Sequence, residues 1–546
     1  MARRVSVVIL AVLVAVGVWA AWVFDEAHRH MVQAQTELSY ARGQVLADDP
    51  ALAQEGVALA KAQTQAAADL TDMWVWKALA AVPKAGDSLR AARAVIFAAD
   101  SSVNGLATMS AGISGIDQEL SHNTFDLASL AVADEAMTDS EADFSRARAH
   151  LANAPRADQG AWVLPSLQSE VSRMEAQIDA MSSTAAVVQQ LGDYAPALLG
   201  ADNPQSYFVG VQVPNQMTAM GGVVDLWGVV RVDDGTVTVV DSGAGEDLRL
   251  SNTSSPDFPR VAQSWLDAYH AETGRRLDGA LAVGLDAPRF GGEVTLANGA
   301  TVPDAREFLV SGIYDMYPDT GQTRQRREAR EAVAAQVVEA AFAADLPTLE
   351  PMVRDRRIML WVRDPQIQQA IAATTLGHAL QPAAAHTVEP VLINVDGSRL
   401  DRRIMRGVDY AVGRCPAPDG TVRSEVTMQY RIGIRRDALM PEAMIGAARV
   451  GPNGPISRMR LKVYLPAGAQ PVAVLVGGEG HAWRQSEEAG RPVVSLSLAL
   501  PPKAWRTVKV EFDEPDSPAP GTIEVQRMPQ SAGVIVEDHP CELEQA

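Results

Sequence analysis

The stretch "SYFVGVQVPNQMTAMGGVVDLWGVVRVDDGTVTVV", Ser206 to Val240, is where the chain changes its period. "SYFVGVQV" has the apolar, β-branched and aromatic make-up of a strand. "GVVDLWGVVRV" and "TVTVVDSG" read as a hairpin, with Asp233-Asp234-Gly235 supplying the turn chemistry. Between the first two runs lies an uncharged polar segment that closes on Gly221-Gly222. A glycine pair between strands lets backbone come close to something.

Downstream, strands alternate with helices. "DFPRVAQSWLDAYHAETG", Asp257 to Gly274, predicts a helix after a proline turn, and "LDGALAVGLD" predicts a buried strand ending at Asp286. "RQRREAREAVAAQVVEAAFAA" predicts an amphipathic helix, "RRIMLWVRD" a strand, "PQIQQAIAATTLG" a helix and "VEPVLINVDGS" a strand. That alternation implies an α/β domain with a mixed sheet over residues 196–410. Short alternating runs with Gly/Pro turns follow, from "TVRSEVTMQYRIGI" to "WRTVKVEFDEP", and imply an immunoglobulin-like β-sandwich over 411–530. An acidic tail covers 531–546.

Upstream the spacing is helical. Met31, Ala34, Leu38 and Ala41 form one stripe; Leu89, Ala92, Ile96, Ala99 and Val103 form a second; Leu167, Val171, Met174 and Ile178 form a third. Each stripe buries one face, so residues 25–195 are expected to form a membrane-proximal helical bundle or hairpin. Before it, Arg3 and Arg4 precede an apolar run from Val5 to Phe24. A run of about 20 residues matches the hydrocarbon thickness of a bilayer. The expectation is a transmembrane anchor over 5–24, a cytoplasmic tip over 1–4 and the bulk of the chain outside the plasma membrane. A cleaved signal peptide is the alternative.

The formal net charge is −20, which argues against nucleic acid as a partner. Outside the membrane, the two cysteines, Cys415 and Cys541, suggest one disulfide; two buried thiols are the alternative.

The order of these features resembles the bacterial envelope family catalogued as domain of unknown function 4012. The likeness rests on "MWVWKALAAVPKAGD", "LLGADNPQSYFVGVQ", the segment ending in the double glycine, "PDFPRVAQSW", "LDGALAVGLDAPRFGG", "RRIMLWVRDPQIQQAI" and "LINVDGSRLDRRIMR". It implies a single-pass extracytoplasmic protein of actinobacterial type, with no established activity. "LDGALAVGLDAPRFGGEVTLANGATV" is similar, more distantly, to a segment of the LytR–CpsA–Psr phosphotransferases. Those enzymes transfer polyprenyl-pyrophosphate-linked glycopolymers with arginines and aspartates around a divalent cation.

Members of the first family commonly carry a Glu and an Arg before the paired glycines. In "VPNQMTAMGG" the corresponding residues are Gln216 and Thr218. Phosphoryl transfer needs cationic stabilisation. A neutral loop therefore points to the protein's own backbone, or a neutral ligand, beside Gly221 and Gly222.

The ligand-binding candidates are Asn215, Gln216, Gly221, Gly222, Asp257, Asp278, Arg399, Arg402 and Arg403. Asp225, Glu246 and Asp247 read as surface or turn carboxylates, and the arginines of the 324–330 run read as ion-paired with Glu328 and Glu331. No nucleophile, metal or Walker motif stands out.

The leading expectation is a structural or interaction role at the membrane–wall boundary, without catalysis or cofactor, and with envelope proteins as partners. The alternative is a phosphotransferase or binder of lipid-linked glycan, with Mg²⁺ as its cofactor.

Overall fold

The computed structural model describes residues 23–41, 50–84, 86–117, 124–125, 127–156, 160–248, 250, 254–285, 290, 292–342, 352–353, 356–380, 386–434, 440–452, 454–517, 521–523 and 533–539. They fall into two compact units, one up to Asp202 and the other from Asn203 onward.

The first unit is helical: α1 over 23–41, α2 (Pro50–Asp72), α3 (Trp74–Ala80), α4 (Asp87–Asp117), α5 (Leu127–Ala152) and α6 (Pro165–Leu198). The expected stripes are the packed faces. Ala34 meets Ala60 and Val103, and Ala27 meets Ala67, Ala68 and Ile96. Val95, Ala98 and Ala99 meet Phe144, Ala147 and Ile178. Alanine at these positions lets the helix axes approach closely.

In the second unit, β1 (Gln205–Val213), β2 (Val223–Asp233), β3 (Thr236–Ala244), β4 (Gly279–Gly284) and β5 (Ile358–Val362) form a mixed sheet. Its order is β3-β2-β1-β4-β5. β1 and β4 are parallel; the other pairs are antiparallel. Helix α7 (Phe258–Thr273) covers one face: Phe208, Gly210 and Trp227 point to it, and a Cβ on Gly210 would lie 2.7 Å from the Trp265 ring. Helix α8 (Thr323–Ala340) covers the other, with Val338 against Gly228. Burial on both faces explains why these strands read as apolar runs rather than alternations. The short helix α9 (Pro365–Ala372) follows β5.

The longer remaining strands are β6 (Thr387–Asn394), β7 (Ile404–Gly413), β8 (Thr421–Ile432), β9 (Gly454–Tyr464), β10 (Gln470–Val476), β11 (Arg484–Glu488), β12 (Arg491–Leu500), β13 (Arg506–Pro515) and β14 (Gly533–His539). One sheet runs β10-β13-β8-β7-β14 and the other β11-β12-β9-β6, each lengthened by a two-residue strand.

The expected fold class needs correction in three respects. Among the described residues no helix is long and apolar enough to cross a membrane. Of the expected 5–24 span, 5–22 lie outside the described residues; Val23 and Phe24 open α1, which continues at once through Asp25, Glu26 and Arg29. Second, β6 pairs with β9, not with the mixed sheet, so the β region begins inside the stretch assigned to the α/β domain, and both belong to one unit. Third, β14 pairs parallel with β7, and Thr522–Ile523 parallel with β6, unlike the antiparallel sheets of an immunoglobulin sandwich. Strand β14 also occupies part of the segment read as an acidic tail.

Candidate functional site

Loop 214–222 leaves β1 and returns as β2. Its shape is set locally: Gly221 has φ 105°, its N–H donates to Thr218 O, and the Val223 N–H donates to Gln216 O. Thr218 Oγ1 donates to Gly222 O at 3.0 Å. A Cβ on Gly222 would lie 2.7 Å from Val213 O, so the backbone of β1 is what approaches the double glycine.

The loop is held from the β region. Met217 N–H donates to Asp401 Oδ2 at 2.7 Å, Asp401 N–H donates to Asn215 O, and Asn394 N–H donates to Met217 O. Asn394 Nδ2 donates to both Asp401 oxygens. Burial pushes the Asp401 carboxyl up to about 7, against the hydrogen bonds from Met217 and Asn394, which favour its charged form.

Those contacts bring Arg399 onto the loop. Arg399 Nη1 lies 2.9 Å from Asp225 Oδ1 and 3.2 Å from Asn215 Oδ1. Burial opposes the charge on Arg399, but Asp225, with Tyr314 and Glu246, outweighs it and holds the guanidinium above the ordinary arginine range. Arg330, from α8, donates to Glu246 Oε1 at 2.6 Å and to the Tyr314 hydroxyl at 2.9 Å. Its Nε lies 3.8 Å from Asp225 Oδ2, beyond hydrogen-bond range, and both atoms are buried without a hydrogen-bond partner. Tyr314 follows a π-helical turn, Phe308–Gly312, in which Val310 O accepts from Asn215 Nδ2. Such turns free carbonyls from the helical ladder.

Beside this charged group lies a cleft of about 150 Å³. Gln212, Thr218, Asp225, Glu246 and Arg399 give it a polar end, and Met220, Leu248, Leu250, Val261 and Trp265 give it apolar walls. Gln212 Oε1 is buried there without a partner. A space of this size takes a phosphate-sized head or a few methylenes, not a whole lipid.

Of the sequence candidates, Asn215, Gly222 and Arg399 converge here, with Gln216 and Gly221 in the same loop. The others do not. Asp278 sits at the start of β4 and accepts from Ser206 N–H, at the opposite end of the sheet. Asp257 sits at the start of α7, accepts from Leu380 N–H, and burial raises its pKa. Arg402 is exposed, 3.3 Å from Glu307, and Arg403 lies in the turn before β7.

The picture of a neutral loop is corrected in space, because Arg399 and Arg330 supply the cations its own sequence lacks. Asp225, Glu246 and Arg330, read as surface or ion-paired groups, belong to the site. One signal was available for Arg330. It lies one turn after Arg326, and both are buried, while Arg324 pairs with Glu328 and Arg327 with Glu331 and Asp247. Asp286 lies outside the described residues. Cys415 carries no free thiol, and Cys541 lies outside the described residues. Among the described residues no group of three or more His, Cys, Asp or Glu is placed to hold a metal.

No family model and no curated protein matches the chain. Among solved structures, it is similar to a protein of Legionella pneumophila described as nutrient-binding, at 10% identity and a TM-score of 0.15. The likeness covers 23% of this chain and 43% of that one, so the chain spans less than half of its length.

Proposed function

We propose that the chain is an extracytoplasmic envelope protein of the kind its motifs resemble, and that its cleft holds the anionic head of a lipid-linked glycan. The observation that carries this is the position of Arg399. Its guanidinium meets Asn215 and Asp225 at the polar end of a cleft with apolar walls. An amphiphile with a phosphate head needs a cation at one end and a dry surface beside it. Two arginines stand opposite two carboxylates, so a pyrophosphate brings excess negative charge. A Mg²⁺ ion between the phosphate and Asp225 or Glu246 would offset that excess. With the arginines already engaged, the function proposed is holding rather than transfer.

The test is binding of a polyprenyl pyrophosphate to the purified chain by calorimetry, with and without Mg²⁺, for wild type and Arg399→Gln. Saturable binding that weakens by about tenfold or more in the variant, the worth of one charge-assisted contact, is expected. Absence of binding in either condition sinks the reading, and release of polyprenyl phosphate sinks the holding role. A purely architectural role is the second reading. It is favoured by the fact that Arg399 and Arg330 already face Asp225 and Glu246.

A further inference from the structure

The end of the helical unit where α1 begins gathers features that the cleft does not use. Helices α2 and α5 end there; α3, α4 and α6 begin there. Val23 packs with Trp76, Ala80 and Ala92, and Leu89 and Leu167 pack against the same cluster. The 160–164 segment is tied to the first turn of α4: Trp162 N–H donates to Asp87 Oδ2, Ser88 Oγ donates to Trp162 O, and Leu164 N–H donates to Ser88 Oγ. These bonds fix the backbone yet leave Trp162 74% exposed, and Trp74, at the start of α3, is 77% exposed. Met73, Val82 and Leu164 are exposed beside them. Of the three described tryptophans in this corner, Trp76 alone turns inward.

Next to this apolar rim is a cavity of about 470 Å³, lined by Lys77, Arg90, Arg93, Phe97, His150 and Asn153 among others, and by no carboxylate. Arg90 also caps α3, donating to Ala80 O, and pairs with Asp87 at the start of α4. Arg93 lies over the Phe97 ring, and its Nε is buried without a hydrogen-bond partner. Lys77 and Arg93 share Asp72, which leaves two cations on one carboxylate. In a chain of net charge −20, three cations against two carboxylates, Asp72 and Asp87, leave this cavity with a local excess of positive charge.

We propose that this corner docks on a lipid bilayer carrying anionic headgroups, with Trp74 and Trp162 at the headgroup level and the Lys77–Arg90–Arg93 cavity receiving a headgroup phosphate. Tryptophan, with an apolar body and a polar N–H, favours that depth, and basic side chains are drawn to an anionic leaflet. Exposed apolar side chains of this size, held by a rigid backbone and rimmed by cations, mark an interaction surface. The position of the remaining chain argues for lipid over protein as the occupant. Residues 1–22, with their uncharged run from Val5 onward, join the unit at Val23, against Trp76 itself.

This surface is independent of the cleft and is tested separately. The full chain is reconstituted in vesicles of phosphatidylcholine alone and of an equal mixture of phosphatidylcholine and phosphatidylglycerol. Hydroxyl-radical footprinting then reads oxidation of Trp74 and Trp162, with exposed Trp505 as the internal reference. The expected result is several-fold lower oxidation of Trp74 and Trp162 in the anionic vesicles and no change at Trp505. In Lys77→Gln/Arg93→Gln, which leaves the α3 cap intact, the protection is lost while the far-ultraviolet circular dichroism is unchanged. Equal oxidation in both vesicles overturns the proposal, as does protection that the variant keeps. Absence of protection in either vesicle also overturns it and leaves the rim to a protein partner.

Discussion

Arg399 and Asn215 stand 184 positions apart in the chain, and their side chains meet at 3.2 Å. The same guanidinium nitrogen reaches Asp225, which is almost fully buried. The contact joins the loop after β1 to the turn after β6, so removing Arg399 would do more than empty a binding site. It would leave Asp225 with only the looser approach of Arg330. Breaking a buried pair from one side costs about 3–5 kcal/mol. Arg399→Ala should lower the denaturation free energy by an amount of that order, and Arg399→Gln/Asp225→Asn should recover much of it. Urea unfolding of the three chains decides; equal stability of Arg399→Ala and wild type would show that the pair is not closed.

Asp401 gives a pH signature. Its folded pKa, about 7, lies above the ordinary value of 3.8. A raised carboxylate pKa means that the folded state holds the proton more tightly. The corresponding stability is full below pH 4 and is lost as pH rises through 7, at up to about 1.4 kcal/mol per pH unit. Stability measured from pH 4 to 7 should fall less steeply in Asp401→Asn than in wild type. A carboxyl ¹³C resonance for Asp401 that titrates near 4 would refute this.

Gly222→Ala should be costly where Gly292→Ala is not. The new Cβ at 222 meets main-chain atoms of Val213 at 2.7 to 3.2 Å, and main chain cannot step aside. At 292 it meets nothing within 4 Å. Overpacking of this kind costs about 1–3 kcal/mol, so thermal unfolding should separate the two variants clearly. Coincident melting curves would mean that the loop rearranges freely.

The parallel register of β14 on β7 runs from Gly533 beside Gly407 to His539 beside Gly413. Cys415 carries no free thiol, and Cys541 is the other of the two cysteines in the sequence. A Cys415–Cys541 bridge is expected on that ground, found as a linked pair in non-reduced peptides. Cys541→Ser should cost about 2–4 kcal/mol. Recovery of Cys415 as an unlinked peptide would disprove the pairing.

Much of the fold is legible in local pattern. The alanine stripes of α1 and α4, the Asp233-Asp234-Gly235 turn and the amphipathic α7 are each written within one or two turns of chain. What local pattern cannot carry is the partner of a strand. "TVEPVLIN" is buried along its whole length and reads equally well in either sheet, and only its pairing with Met459 to Tyr464 and with Thr522–Ile523 assigns it to the β region. The site follows the same logic. The loop is neutral when read along the chain because its cations arrive from positions 330 and 399. Asp278, close to β1 in the sheet, is lost to the site because it lies at the wrong end of the strand. Asp225 looked like one carboxylate among 67 acidic residues, and only its burial singles it out.

The pairing of β14 with β7 has a consequence for how the protein is made. A ribosome adds about 5–20 residues per second, so the edge of β7 waits several seconds for the 119 residues between Gly413 and Gly533 to emerge. An uncovered strand edge is a template for other strands. During that interval the nascent chain exposes such an edge, and a chaperone that occupies it until residue 539 has been synthesised would favour correct closure over pairing with a neighbouring nascent chain.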